Sequence, residues 1–251
     1  MTQLIILMTG EARSGKDTSA NLLAEKCKKA GFSVVTTYFA KTLKDSVKNI
    51  FELTDEHVFG ELKEVPFSMR LSANRIYRMT EHELNFGSLM AIRRNLPYID
   101  TQTIANAITV RMIRAIRENA KRTLWNRLLN RDIYQVSPRQ LLQWWGTEAV
   151  RKGAYENAWV DCAKFDIEHS GADVAIVSDA RFDNEVEQIH SHFPLPIITL
   201  TIKVMRGNKV KVSSHISEAG ISDRLVNMSI QNDGSLEELE IALERPLKAF
   251  L

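Results

Sequence analysis

A chain of 251 residues with 44% hydrophobic and 25% charged residues can bury a sizeable core, which excludes an extended disordered protein. A formal net charge of +2 excludes a chain built to coat nucleic acid or an anionic membrane along its whole length, so any basic function is local. The two cysteines, Cys27 and Cys162, have no metal-ligand spacing, so they read as reduced thiols in predicted helices of a cytosolic protein and not as a disulfide framework.

The first predicted element is the apolar run LIILMT, Leu4–Thr9. It is far shorter than a membrane span and has no basic leader, so it reads as a strand; the expected location is the cytoplasm. Directly after it comes GEARSGKDTS, Gly10 to Ser19, a Gly-x-x-x-x-Gly-Lys loop that opens a helix. Its glycines, Gly10 and Gly15, let backbone N–H groups turn toward an anion, the helix adds its positive N-terminal dipole, and Lys16 reaches the terminal phosphates. A triphosphate is the natural guest. Such loops normally continue with Ser or Thr, whose hydroxyl holds Mg²⁺; here Asp17 intervenes and the hydroxyl follows as Thr18.

A second strand is predicted in SVVTTYF, Ser33 to Phe39. The segment from Lys41 to Ser170 has almost no strand signal and reads as a long helical insertion where a second substrate could sit. Within it, the basic run from Arg111 to Arg131 reads as a solvated helix face. Further on, Ser137, Pro138 and Gln140 form a capping-box helix start. From there Arg139, Gln143 and Gly146 recur at helical spacing with Thr147 beside them, while Leu141 and Trp145 share another face. Glycine inside a helix costs about 1 kcal/mol relative to alanine, so close approach of another group, or a bend, is expected at Gly146. A nucleotide along that stripe, with Arg139 on its phosphate and Gln143 on its base edge, would explain both features.

The third strand, DVAIVSD (Asp173 to Asp179), ends in an acidic residue where a nucleoside-triphosphate fold orients its Mg²⁺ shell, and Arg181 follows from the same strand end. An Arg there can bridge donor and acceptor phosphates. The next helix is predicted to start near Asp183 as its N-cap, with Glu185 in the first turn. PIITLTIKV (Pro196 to Val204) is the fourth strand and VNMSI (Val226 to Ile230) the fifth and weakest. Asn232, Asp233 and Gly234 then make a turn whose backbone is placed to line an adenine pocket, and Ser235 caps the final helix. The histidines have no metal-binding spacing: His190 and His192 end a helix, and His215 reads as a loop residue beside Ser213 and Ser214. The expected fold is therefore an α/β nucleoside-triphosphate fold with a five-stranded, mostly parallel sheet. Residues 1–40 and 171–251 would form the core and 41–170 the insertion between the second and third strands, carrying the acceptor site.

The stretches ARSGKDTSA, LLQWWGTEAV, SDARFDNEVE, HISEAG and NDGSLEEL occur in the order and approximate spacing found in the deoxynucleoside monophosphate kinases of tailed bacteriophages, and the chain resembles that family from the phosphate loop to its C-terminal helix. The central stretch from Glu52 to Asn130 departs from the pattern. The resemblance implies ATP-phosphate and Mg²⁺ roles for Ser14, Lys16, Asp17 and Thr18, in the ATP-binding loop that also contains Gly10, Arg13 and Gly15. It implies acceptor-nucleotide roles for Arg139, Gln143, Gly146, Thr147 and Trp159, and phosphoryl-transfer roles for Asp179, Arg181 and Glu185. The expected reaction moves the γ-phosphate of ATP to a deoxynucleoside monophosphate. A kinase of another small phosphorylated acceptor, of the dephospho-coenzyme A or phosphomevalonate type, is the alternative. No membrane partner and no stable nucleic-acid binding are expected, with a homodimer left open.

Overall fold

The computed structural model describes residues 3–11, 13–193, 195–207 and 221–248. Its strands are β1 (Leu4–Thr9), β2 (Val34–Thr37), β3 (Phe67–Arg70), β4 (Ile133–Val136), β5 (Val174–Ala180), β6 (Ile198–Met205) and β7 (Met228–Gln231). The chain divides into one unit of Met1–Phe39 with Ala163–Leu251, and a second unit of Ala40–Cys162.

The first unit is built on a five-stranded sheet in the order β2-β5-β1-β6-β7, with every pairing parallel. All five strands expected from the sequence lie in it. β1 is buried at every position because a strand flanked on both sides and covered on both faces has no polar face to offer. Leu4, Ile6 and Met8 meet Leu23, Ala24 and Cys27 of the helix Lys16–Lys29, and each such side chain contributes about 1.5–3 kcal/mol on burial. The helices Leu236–Ala242 and Glu244–Lys248 complete that layer through Leu239, Leu243 and Leu247. The latter lies beyond the helix capped by Ser235, which is therefore not the last of the chain as expected. Cys27 is a free, fully buried thiol whose pKa is raised by that burial.

Parallel pairing brings the carboxyl ends of the strands to one edge. Thr9 stands beside Ala180 of β5 and Lys203 of β6. Between Leu7 and Thr9 the register with β5 slips, so that Val177 to Ala180 spans what two steps cover on β1. That irregularity falls on Ser178 and Asp179, and extra residues of this kind re-aim side chains at strand ends.

The second unit is mainly helical. The helix Ala73–Phe86 packs on Thr101–Asn119, which in turn packs on a π-helical segment, Trp144–Arg151. One expectation fails here: β3 and β4 form an antiparallel pair, Phe67 opposite Val136 and Arg70 opposite Ile133. FSMR and IYQV are only four residues each, too short for alternation to stand out among helical periodicities. The basic run is also not one helix. Its first helix stops at Asn119, a second, Leu124–Leu128, starts from the cap Thr123, and the intervening Arg122 donates to the carbonyls of Asn126 and Arg131. Arg111, Arg114 and Arg117 remain exposed, as a solvated face requires.

Candidate active site

The loop after β1 is shaped by its two glycines. Gly10 has φ 140° and Gly15 φ 98°, a region that side chains disfavour. A Cβ on Gly10 would collide with the Val204 carbonyl of β6, and one on Gly15 with the Asn232 amide, so both positions demand glycine twice over. Arg13 is also left-handed, at φ 62°, and its side chain is exposed. The helix begins at Lys16 with Gly15 as N-cap and no capping side chain. Its first-turn N–H groups are thus left for an anion, which the helix dipole also favours.

Lys16 curls back over the loop, its Nζ donating to the carbonyls of Gly10 at 2.9 Å and Glu11 at 2.8 Å. The hydroxyls of Thr9, Ser14 and Ser19 are buried without a hydrogen-bond partner among the described residues. Orphaned polar groups of this kind call for a ligand or water. Asp17 and Thr18 are exposed in the first turn.

On the neighbouring strand, the bulged Asp179 accepts the Phe39 N–H at 2.7 Å. Among the described residues no three His, Cys, Asp or Glu side chains gather into a metal cage. The carboxylates of Asp17 and Asp179 and the Thr18 hydroxyl are hard oxygen donors of the kind Mg²⁺ takes, usually one or two carboxylates together with water and substrate phosphates. These three are the residues here that could hold the ion.

Arg181 is exposed one residue past β5. Its N–H and that of Phe182 both donate to Glu185 Oε2, at 2.8 and 3.1 Å. Phe182, not Asp183, is the N-cap position of the helix Asp183–His192. Asp183 is engaged elsewhere, accepting from the Ser222 N–H and hydroxyl and from Arg224. Burial, with the Asp179 carboxylate adding to it and the two N–H groups opposing, pushes the Glu185 pKa from 4.5 up to about 7.

This shift has a sign that can be tested. Between pH 4.5 and about 7 the folded protein holds a proton on Glu185 that the unfolded chain has lost, so stability falls as pH rises through that window and levels above it. Glu185→Gln keeps an amide oxygen for both N–H groups and removes the titration. Its melting temperature is expected to depend less on pH across the window and to match or exceed that of the parent above it. Parallel melting curves for the two proteins would refute the assignment.

In the second unit the capping box is formed: Ser137 Oγ accepts from Gln140 N–H, and Gln140 Oε1 accepts from Ser137 N–H. Arg139, Gln143 and Thr147 are exposed, whereas Gly146 is buried. The expected stripe is thus corrected at Gly146, because the chain winds as a π-helix from Trp144 and rotates it inward. The group that approaches it is Leu43, into whose side chain a Cβ at 146 would run. Trp159 is 8% exposed and donates from its indole to the Gly146 carbonyl at 3.1 Å, while Trp145 is fully buried and donates to Ser46 Oγ. Arg139 is ion-paired through Nε with Glu64. Neither Glu64 nor Leu43 carries a local sequence signal that would have found it, since each acts on a residue far along the chain. The HISEAG stretch, with His215, Ser213 and Ser214, lies outside the described residues.

A glycine-bounded loop between a central parallel strand and a helix, with an acidic residue near the end of the adjoining strand and a basic residue just past it, is the arrangement of a P-loop nucleotide-binding core. The profile of the family described as deoxynucleotide monophosphate kinase matches residues 4–243, and the chain belongs to that family. It is 27% identical to the deoxynucleotide monophosphate kinase of Enterobacteria phage T4, over 98% of this chain and 99% of that one. It is 26% identical to the deoxynucleoside-5'-monophosphate kinase of Escherichia phage T5, over 91% and 89% respectively, and equally identical to the deoxynucleotide monophosphate kinase of Escherichia phage RB69, over 97% and 99%.

Proposed function

We propose that the protein transfers the γ-phosphoryl group of ATP to a deoxynucleoside 5'-monophosphate, giving ADP and the diphosphate. The family match across nearly the whole chain carries this reading, and nothing observed favours the dephospho-coenzyme A or phosphomevalonate alternative. The loop from Gly10 to Thr18 holds the donor phosphates, with Lys16 neutralising their charge. Mg²⁺, held by Asp17, Thr18 and Asp179, would offset phosphate charge in the usual way. The acceptor phosphate needs no strong base, because its second pKa of about 6 leaves it substantially ionised. Arg181 serves the charge that spreads over the moving group, and Glu185 fixes the backbone from which Arg181 projects. No helix among the described residues is long and apolar enough to cross a membrane.

Arg139 takes the acceptor phosphate, Gln143 and Thr147 lie on the same exposed stripe, and Gly146 with Trp159 holds the backbone beneath them. Arg139 and Glu64 are both substantially exposed, so their ion pair is weak and yields to a phosphate dianion. Arg139→Ala should weaken monophosphate binding about ten- to hundredfold, the worth of a charge-assisted contact, and leave ATP binding unchanged. Glu64→Gln releases the same guanidinium and should tighten the acceptor. Calorimetric titration of each variant with ATP and each monophosphate checks both; a loss of ATP binding alone would move the acceptor site elsewhere. Coupled ADP release with each deoxy- and ribonucleoside monophosphate tests the function as a whole. ATP turnover supported only by another class of phosphorylated acceptor would overturn it.

A further inference from the structure

Asn232 follows β7, is 8% exposed, and is tied down on two sides. Its N–H donates to the Met205 carbonyl at the end of β6, and its Nδ2 donates to the Ser14 carbonyl within the phosphate loop, both at 2.7 Å. The expectation for this turn concerned its backbone, as lining for an adenine pocket; the Asn232 side chain is separately committed to the loop backbone.

The consequence follows from peptide geometry. The Ser14 carbonyl and the Gly15 N–H belong to one planar trans unit and point in opposite directions. A donor that holds the carbonyl therefore turns the Gly15 N–H to the opposite side of the loop. Glycine has little conformational preference of its own to keep it there. The fit is reciprocal, since only a glycine at 15 leaves room for the Asn232 amide. At the loop's other end, Gly10 rests against the Val204 carbonyl of β6, so the ends of β6 and β7 brace both glycines.

We propose that Asn232 is a positioning residue of the donor site: it locks the Ser14–Gly15 peptide with the Gly15 N–H turned toward the donor phosphates. This rests on the reading of the loop as the ATP site. Asn232→Ala should raise the KM for ATP about tenfold, as expected for one buried carbonyl left without its donor, while the acceptor KM stays within about twofold. Asn232→Asp keeps the shape but sets oxygen against oxygen. Its ATP defect should be at least as large at mildly alkaline pH and shrink toward acid, where the protonated carboxyl regains a donor; Asn232→Ala, measured alongside, should show no such relief. A merely structural residue would lower the melting temperature of both variants and leave ATP KM at the parent value, and that outcome overturns the proposal. Lys16→Ala separates the two failures. Lost turnover there beside a normal ATP KM in both Asn232 variants sinks this proposal alone, whereas full turnover in Lys16→Ala removes the ATP reading of the loop and this proposal with it.

Discussion

Lys16→Ala is expected to lower turnover by roughly a hundred- to thousandfold, the range for losing one preorganised electrostatic group that faces charge in the transition state. The ammonium already sits at the loop, donating to the Gly10 and Glu11 carbonyls. Those neutral acceptors hold the cation in place, and a polyphosphate with full negative charge outcompetes them. The fold should survive, because Lys16 is only half-buried and both carbonyls can turn to water. Lys16→Arg should recover little, since a planar fork cannot present a point charge in the same space. The measurement is coupled ADP release beside a thermal melt. Near-normal turnover by a well-folded Lys16→Ala protein would take the loop out of the mechanism.

The sheet and the glycine-bounded loop were legible in the sequence because their signals are local. A continuous apolar run of six residues, ended by a glycine, suits a central strand buried on both faces, and the loop's glycines and lysine are defined by spacing within a few residues. The end of β5, one residue from the expected Asp179, was legible for the same reason. What could not be read is what depends on contacts between distant segments. The Asn232 amide reaches a carbonyl 218 positions away, and its neighbours in sequence say only that a turn is present. Gly146 announced a close approach or a bend; the close approach is there, but the approaching group is Leu43, and a π-helical winding moves the glycine off the polar stripe. The β3–β4 pair escaped because each strand's pattern is too brief to compete with helical spacing. The helix cap at Phe182 was missed for a different reason: Asp183 is the better capping residue by type, yet its carboxylate is held by Ser222 and Arg224.

Arg181→Ala should cost more than any other change outside the loop. Residue 180 is 1% exposed and paired with Thr9 at the end of β1, and Glu185 holds the Arg181 N–H, so the backbone at 181 is fixed on both sides. The guanidinium itself is exposed and contributes little to folding. A cation held by a rigid backbone yet free to meet a ligand suits a group whose work is done in the transition state. In phosphoryl transfer, charge spreads over the equatorial oxygens, and an arginine that meets it is worth about 10³–10⁵ in turnover. Arg181→Ala should therefore lower kcat by about a thousandfold or more with KM for either nucleotide changed only severalfold, because the contact strengthens mainly as the phosphoryl group moves. Arg181→Lys should recover part of the charge effect and none of the bridging geometry. The melting temperature of both variants should match the parent's. Single-turnover kinetics with saturating ATP and acceptor read the chemical step directly. If kcat falls less than about tenfold there, the transition-state charge is met by another cation, and Arg139 is the next to test.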